Sequence, residues 1–373
     1  MLVAGDFCPH NRTANINCFD WKDCFDSSIR ELISFSDFSL MNLECPVKGK
    51  NSSPIFKQGP NLCCEESAIS FIKELGISGV TLANNHFRDY GDVGVASTIM
   101  ALQKCGLQHV GGGINKQEAQ QPLIVEFNTI KVAFVNFCEN EFSIASETKG
   151  GAAPLDDIEL YGQITQLKSA CDRIIVISHG GHEHYQLPSP RMRKLFRWLI
   201  DIGADVVINH HQHCYSGYEV YNRCPIFYGL GNFFFDWDGQ RSSPWNYGYM
   251  VELEISDDIN FNIIPYSQCD IEPVVRSMTD QELVEFNRRI VELNEIISDY
   301  DVLRNSFEEY CRTRYEEIRL VLSPYTNRYA NALCRRRILP AFDSPKRFVK
   351  ILNNIDCESR RDVLLDYLKE FIQ

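Results

Sequence analysis

An apolar, β-branched run, Val206-Val207-Ile208, leads straight into Asn209-His210-His211-Gln212-His213, and no other stretch constrains the chain as strongly. A continuous run of this kind fits a strand buried on both faces, as in parallel sheets. Ligands of open α/β sheets gather outside the carboxyl ends of such strands, where these histidines stand. Side chains alternate along extended backbone, so His211 and His213 are expected on one side and His210 on the other. Two imidazoles held on one short segment suit a metal ion. A second histidine group, His179, His182 and His184, follows another apolar run, Arg173 to Ser178.

The same junction recurs upstream. Met1 to Gly5 reads as a strand that ends at Asp6, and Phe38 to Leu43 as one that ends at Glu44. Asp6 suits a metal ligand and equally the cap of a following turn. Gly79 to Ala83 makes a third strand and delivers Asn84, Asn85 and His86, with Asp89 just behind. Asn85 offers a neutral carbonyl ligand, and His86 exchanges a proton near neutral pH. His86 and Asp89 are therefore the candidate catalytic residues. The glycine run Gly111 to Gly113 fits neither phosphate-loop spacing and reads as a turn.

Helical spacing is expected at Ser27 to Phe35, Ser67 to Leu75, Ser97 to Lys104, Asp157 to Ser169 and Pro190 to Gly203. Tyr249 to Ile255 and Phe261 to Tyr266 read as a closing antiparallel hairpin. After Pro273 the pattern turns helical throughout, with segments expected at Tyr300 to Leu322, Tyr329 to Leu339 and Arg360 to Phe371. The predicted organisation is a domain over 1–272 and a helical extension over 273–373, the latter suited to homo-oligomerisation or a protein partner.

With 44% hydrophobic residues in 373, the chain can bury a sizeable core. A net charge of −13 argues against nucleic acid as a partner and against general binding to anionic membranes; Arg335 to Arg337 are a local exception. No apolar stretch is long enough to insert in a membrane, and the start MLVAGDFCPH does not read as a signal peptide. Fifteen cysteines, an odd number and mostly isolated, fit reduced thiols. These features predict a cytoplasmic protein.

Seven motifs in order resemble those of the CapA family of capsule and poly-γ-glutamate biosynthesis proteins, a branch of the calcineurin-type metallophosphoesterases. They are Gly5-Asp6, NLECP from Asn42, LANNHFRDYG from Leu82, HVGGGINKQEA from His109, HGGHEHY from His179, NHHQH from Asn209 and LGNFFFD from Leu230. The resemblance spans about residues 1–270. It implies an α/β fold, a metallophosphoesterase-like sandwich of two mixed sheets flanked by helices, with a binuclear metal centre at the strand ends. By match to those motifs, Asp6 is a terminal ligand, Glu44 the bridging carboxylate, Asn85 a ligand of the second ion and His86 the proton donor. His179, His211 and His213 complete the two shells. The chain departs from the phosphoesterase pattern at Cys8, where a histidine is usual, at Glu44, where an aspartate is usual, and at Gly180, where tryptophan is frequent.

Two functions from different classes follow. One is a hydrolase of a phosphoester or related bond, using two divalent ions drawn from Mn²⁺, Fe or Zn²⁺, with Mg²⁺ allowed. Its substrate would be phosphorylated or related to an anionic polymer. The other is a non-catalytic accessory protein of capsular polysaccharide or poly-γ-glutamate synthesis, in which the metal site binds without turnover.

Overall fold

The computed structural model describes residues 1–15, 20–127, 129–325, 327–340 and 343–370. They fall into two compact units, Met1–Arg304 and Asn305–Gln373. In the first unit, strands Leu2–Cys8, Ser39–Leu43, Gly79–Thr81 and Gln108–Val110 lie side by side in parallel. Tyr247–Ile255, Ile259–Gln268 and Val275–Ser277 extend that sheet in antiparallel fashion. Asn232–Phe235 pairs in parallel with the far end of Leu2–Cys8, making eight strands.

The second sheet has six strands, in the spatial order Tyr218–Tyr221, Cys224–Phe227, Val206–His210, Arg173–His179, Ile130–Cys138 and Leu123–Phe127. Its four central strands are parallel and its edges antiparallel. Both sheets are thus mixed, with a parallel centre.

Alternation along the strands decides which core each residue joins. Val3, Leu40 and Val251 of the first sheet share one buried cluster with Phe134, Ile175 and Val207 of the second. Their neighbours Leu2, Ala4, Met41 and Met250 turn the other way, into a cluster with Ile29, Ile33, Ile69 and Ile72 of two helices. The result is a two-sheet sandwich with helices packed against it, as the family resemblance implied. Each fully buried Val, Leu or Ile contributes about 1.5–3 kcal/mol, so register along these strands is strongly specified.

Helix ends follow their local chemistry. Asp26 accepts a hydrogen bond from the backbone N–H of Ile29 to start Ser27–Phe35, and Ser189 accepts from Met192 ahead of Pro190–Ile202. Ser67–Leu75 stops at Gly76, whose φ of 97° is left-handed. Gly91–Cys105 begins six residues ahead of the expected Ser97. Gly91 and Gly94 are poor helix formers and hid that first part from the sequence. Gly112–Gly113 forms a short bridge to Gly151–Ala152 rather than a simple turn.

The expected switch to helix at Pro273 is delayed, because Val275–Ser277 still adds a strand to the first sheet; helices begin at Asp280, and the compact units divide between Arg304 and Asn305. The reason is the helix Asp280–Ser298, which buries Phe286, Ile290, Leu293 and Ile297 in the inter-sheet cluster; the Phe286 ring lies 4.8 Å from that of Tyr215. The second unit contains most of Tyr300–Val321, then Arg328–Arg335, Pro345–Asp356 and Glu358–Glu370. Pro345–Asp356 was not expected. Phe371, the expected end of the last helix, lies outside the described residues.

Candidate metal centre

The parallel registers bring the candidate residues together. Asp6 stands beside Asn42, and Asn42 beside Thr81, at the ends of three neighbouring strands of the first sheet. In the second sheet Cys138, His179 and His210 share a row. Close passage of the chain shapes the Asp6 end: a Cβ on Gly5 would lie 1.9 Å from the carbonyl oxygen of Gly231, so only glycine fits there. Beyond that contact the Asp6 N–H donates to the same oxygen at 3.1 Å.

Asp6, Glu44, Asn85, His86, Asp89, His179, His211 and His213 are all buried. Asp6 Oδ1 accepts from Asn42 Nδ2 at 2.8 Å and lies 3.2 Å from His210 Nδ1. Asp6 Oδ2 accepts from the backbone N–H of His211 at 3.3 Å and lies 3.8 Å from His213 Nδ1. Burial alone would raise the Asp6 pKa, but His210, with His179 and His213, outweighs it and holds the carboxyl below the usual range.

Glu44 is the centre of the arrangement. Its Oε1 lies 3.6 Å from His179 Nε2 and 3.5 Å from His213 Nε2. Neither carboxylate oxygen has a hydrogen-bond partner among the described residues, although both are buried. Burial, then the nearby carboxylates of Asp6 and Glu183, push its pKa well above the usual value. A buried, unpaired carboxylate is costly unless a cation compensates it. Two groups of donor atoms close enough to hold a metal include it: Glu44, His179 and His211, and Asp6, Glu44 and His213. The residues present therefore fit a divalent-metal centre, with Glu44 common to both groups.

Asn85 Oδ1 and His211 Nδ1 each lie 3.1 Å from His179 Nε2, so Asn85 borders the first of those groups. Burial and the neighbouring His211 keep His179 well below the usual imidazole range, and burial with His213 lowers His211 to about 4. Both are thus held neutral, as a ligating imidazole must be. His213 Nδ1 faces Asn232 Oδ1 at 3.0 Å, which turns its Nε2 toward Glu44.

His86 and Asp89 form an adjoining pair, with His86 Nδ1 2.7 Å from Asp89 Oδ2. The same oxygen accepts from the Leu62 N–H at 2.7 Å, and Lys57 Nζ lies 2.5 Å from Asp89 Oδ1. Burial lowers the His86 pKa, and Asp89 opposes that shift.

Residues 1–237 match the family described as bacterial capsule synthesis protein PGA_cap. The chain belongs to this family. All seven sequence motifs fall within the matched residues. The capsule biosynthesis protein CapA of Bacillus anthracis is 33% identical over 233 residues, which cover 60% of this chain and 56% of that protein. The PGA biosynthesis protein CapA of Bacillus subtilis (strain 168) is 30% identical over 220 residues, 58% of each. The chain therefore spans less than two thirds of the length of these curated relatives. Among solved structures, a phosphatase from Mycoplasma pneumoniae aligns with a TM-score of 0.44 at 15% identity, over 72% of this chain and 94% of that one.

In this PGA_cap chain one local expectation needs correction. The backbone is not extended after His210: His211 and His213 have φ of 93° and 55°, both left-handed. His210 consequently does not point away but reaches Asp6, and the His210 ring, the His211 N–H and the His213 ring converge on one carboxylate. The LGNFFFD motif supplies the strand Asn232–Phe235, which places Asn232 behind His213. At the departure from the phosphoesterase pattern, the fully buried Cys8 belongs to neither donor group; its thiol faces Cys45, and burial raises its pKa.

Sequence reasoning missed His210, Asn42, Asn232 and Lys57. Asn42 and His210 stand at the same strand ends as the residues that were found, so the strand-end rule applied to every polar residue would have included them. Lys57 comes from an irregular stretch and offered no periodic signal.

Proposed function

We propose that the chain is a metal-dependent hydrolase of the capsule and polymer biosynthesis family, acting on a phosphoester or related bond of a phosphorylated or anionic polymer-related substrate. The observation that carries this reading is Glu44, one of whose oxygens approaches both His179 and His213. Asp6, Glu44 and His213 would hold one ion, and Glu44, His179 and His211, bordered by Asn85, the other. Oxygen and nitrogen donors without thiolate suit Mn²⁺, Fe or Zn²⁺ and admit Mg²⁺. When bound, two such ions supply Lewis acidity and an activated water nucleophile.

His86 serves as the proton carrier. Its Nδ1 faces Asp89, which fixes the ring and leaves Nε2 to deliver a proton to the leaving oxygen. Lys57 holds the other Asp89 oxygen and keeps that carboxylate from turning away. A phosphorylated substrate adds negative charge beside the ring and favours its protonated form.

The test is a screen of phosphomonoesters and phosphodiesters with added Mn²⁺, comparing wild type with His86→Asn. The variant is expected to keep its metal while turnover falls about 10²- to 10⁴-fold. Unchanged turnover would remove His86 from the reaction. A wild type that holds two ions, binds an anionic polymer and hydrolyses nothing in the screen would make the chain an accessory protein instead.

A further inference from the structure

The residues of the candidate metal centre all belong to the first unit, and the second unit has a composition of its own. Between Asn327 and Asn354 lie seven lysines and arginines and one acidic residue, Asp343, in a chain of net charge −13. Asp343 is within 3.7 Å of Arg319, so it does little to balance the others. Arg336, Lys346 and Lys350 are exposed and pair with no acidic group among the described residues.

The helix Pro345–Asp356 adds an apolar face to that charge. Phe348, Leu352 and Ile355 recur at positions i, i+4 and i+7 and so share one side. They are 37%, 57% and 48% exposed. Lys346 and Lys350 lie on the opposite, polar side. In the helix Arg328–Arg335, Tyr329 and Leu333, four residues apart, are exposed as well.

We propose that the helices Arg328–Arg335 and Pro345–Asp356 dock on an anionic lipid surface. Such a surface takes both features at once: apolar side chains enter the boundary between headgroups and acyl chains, while lysine and arginine stay among the headgroup charges. A soluble polyanion would answer the charge and leave Phe348, Leu352 and Ile355 in water. A second copy of the chain would cover the apolar face at the cost of setting two basic surfaces together. No helix among the described residues is long and apolar enough to cross a membrane, so the attachment is to the surface.

The experiment is flotation of the full chain with vesicles of phosphatidylcholine alone and of phosphatidylcholine and phosphatidylglycerol in a three-to-one mixture, at low and high salt. The chain is expected to float only with the anionic vesicles and to be released by salt. Combining Arg336→Gln, Lys346→Gln and Lys350→Gln should weaken partitioning roughly a hundredfold. Combining Phe348→Ser and Leu352→Ser should weaken it roughly tenfold or more. All five side chains are exposed, and an unchanged circular dichroism spectrum and melting temperature would confirm that the variants fold. Failure of the wild type to float with anionic vesicles would overturn the proposal. So would serine variants that float as wild type does while soluble polyglutamate displaces both, which would mark a polyanion surface. A dimer that ignores vesicles and is lost in the serine variants would mark a second copy as the occupant.

Discussion

The two ends of this molecule use their side chains in opposite ways. Around Glu44, polar and charged groups are buried and held by strand register, and the apolar residues serve only to fix that register. In the C-terminal unit, apolar groups such as Phe348 and Leu352 stand in water, and Cys334 is the buried residue among the described ones there. A buried carboxylate without a partner and an exposed apolar face are both costly in isolation. Each therefore points to something from outside the chain, a cation in one case and a covering surface in the other.

The largest expected contrast is in stability. Phe196→Ala, in the inter-sheet cluster, should cost about 3–5 kcal/mol. Leu352→Ala, on the exposed face, should stay within about 0.5 kcal/mol. Urea unfolding monitored by circular dichroism compares them directly, and equal losses would mean that Leu352 is packed in the free chain.

Acid should separate the two regions next. In the metal-free chain His211 is lowered to about 4 by burial and by His213, against about 6.5 when unfolded. Unfolding therefore takes up a proton between those values, and the stabilisation present above pH 6.5 is lost as pH falls toward 4. The melting temperature of EDTA-treated protein should drop across that window, and the drop should be shallower in His211→Asn. A metal-loaded sample should also release its ions on acidification, because protonated imidazole cannot ligate. The second unit contains no histidine and should show no such step.

A smaller effect belongs to the helix that ties the C-terminal sequence to the first unit. Glu282 is held down to about 2, first by the Arg276 guanidinium and also by the Thr279 N–H it caps. Its folded pKa lies below the unfolded one, so its contribution is present above about pH 4.5 and fades as pH falls toward 2. Because the pair is partly exposed, Glu282→Gln should cost no more than about 1 kcal/mol at pH 7. Below pH 2 it should cost nothing, which thermal melts at the two pH values would check.

Much of the first unit was legible because a mainly apolar run that stops at a polar residue marks both a buried strand and its carboxyl end. That rule singled out Asp6, Glu44, His179, His211 and His213, which the fold brings close together. What that rule could not give was backbone direction after the strand: the left-handed turns at His211 and His213 depend on contacts with Asp6 and Asn232, far away in sequence. Lys57 escaped for a related reason, since an irregular stretch has no period to read and its meeting with Asp89 is a tertiary event. In the tail, helical spacing located most of the segments but neither the helix Pro345–Asp356 nor the division after Arg304. Phe286 and Ile290 look like any amphipathic helix until the sheet they cover is known.

The central claim is that Glu44 serves two cations at once. Elemental analysis of wild type, Asn85→Ala and Glu44→Gln, each purified with the same added Mn²⁺, tests it most directly. The account predicts two ions per chain in the wild type, weakened occupancy of one site in Asn85→Ala, and loss from both sites in Glu44→Gln. A Glu44→Gln protein that retains two ions per chain would contradict it.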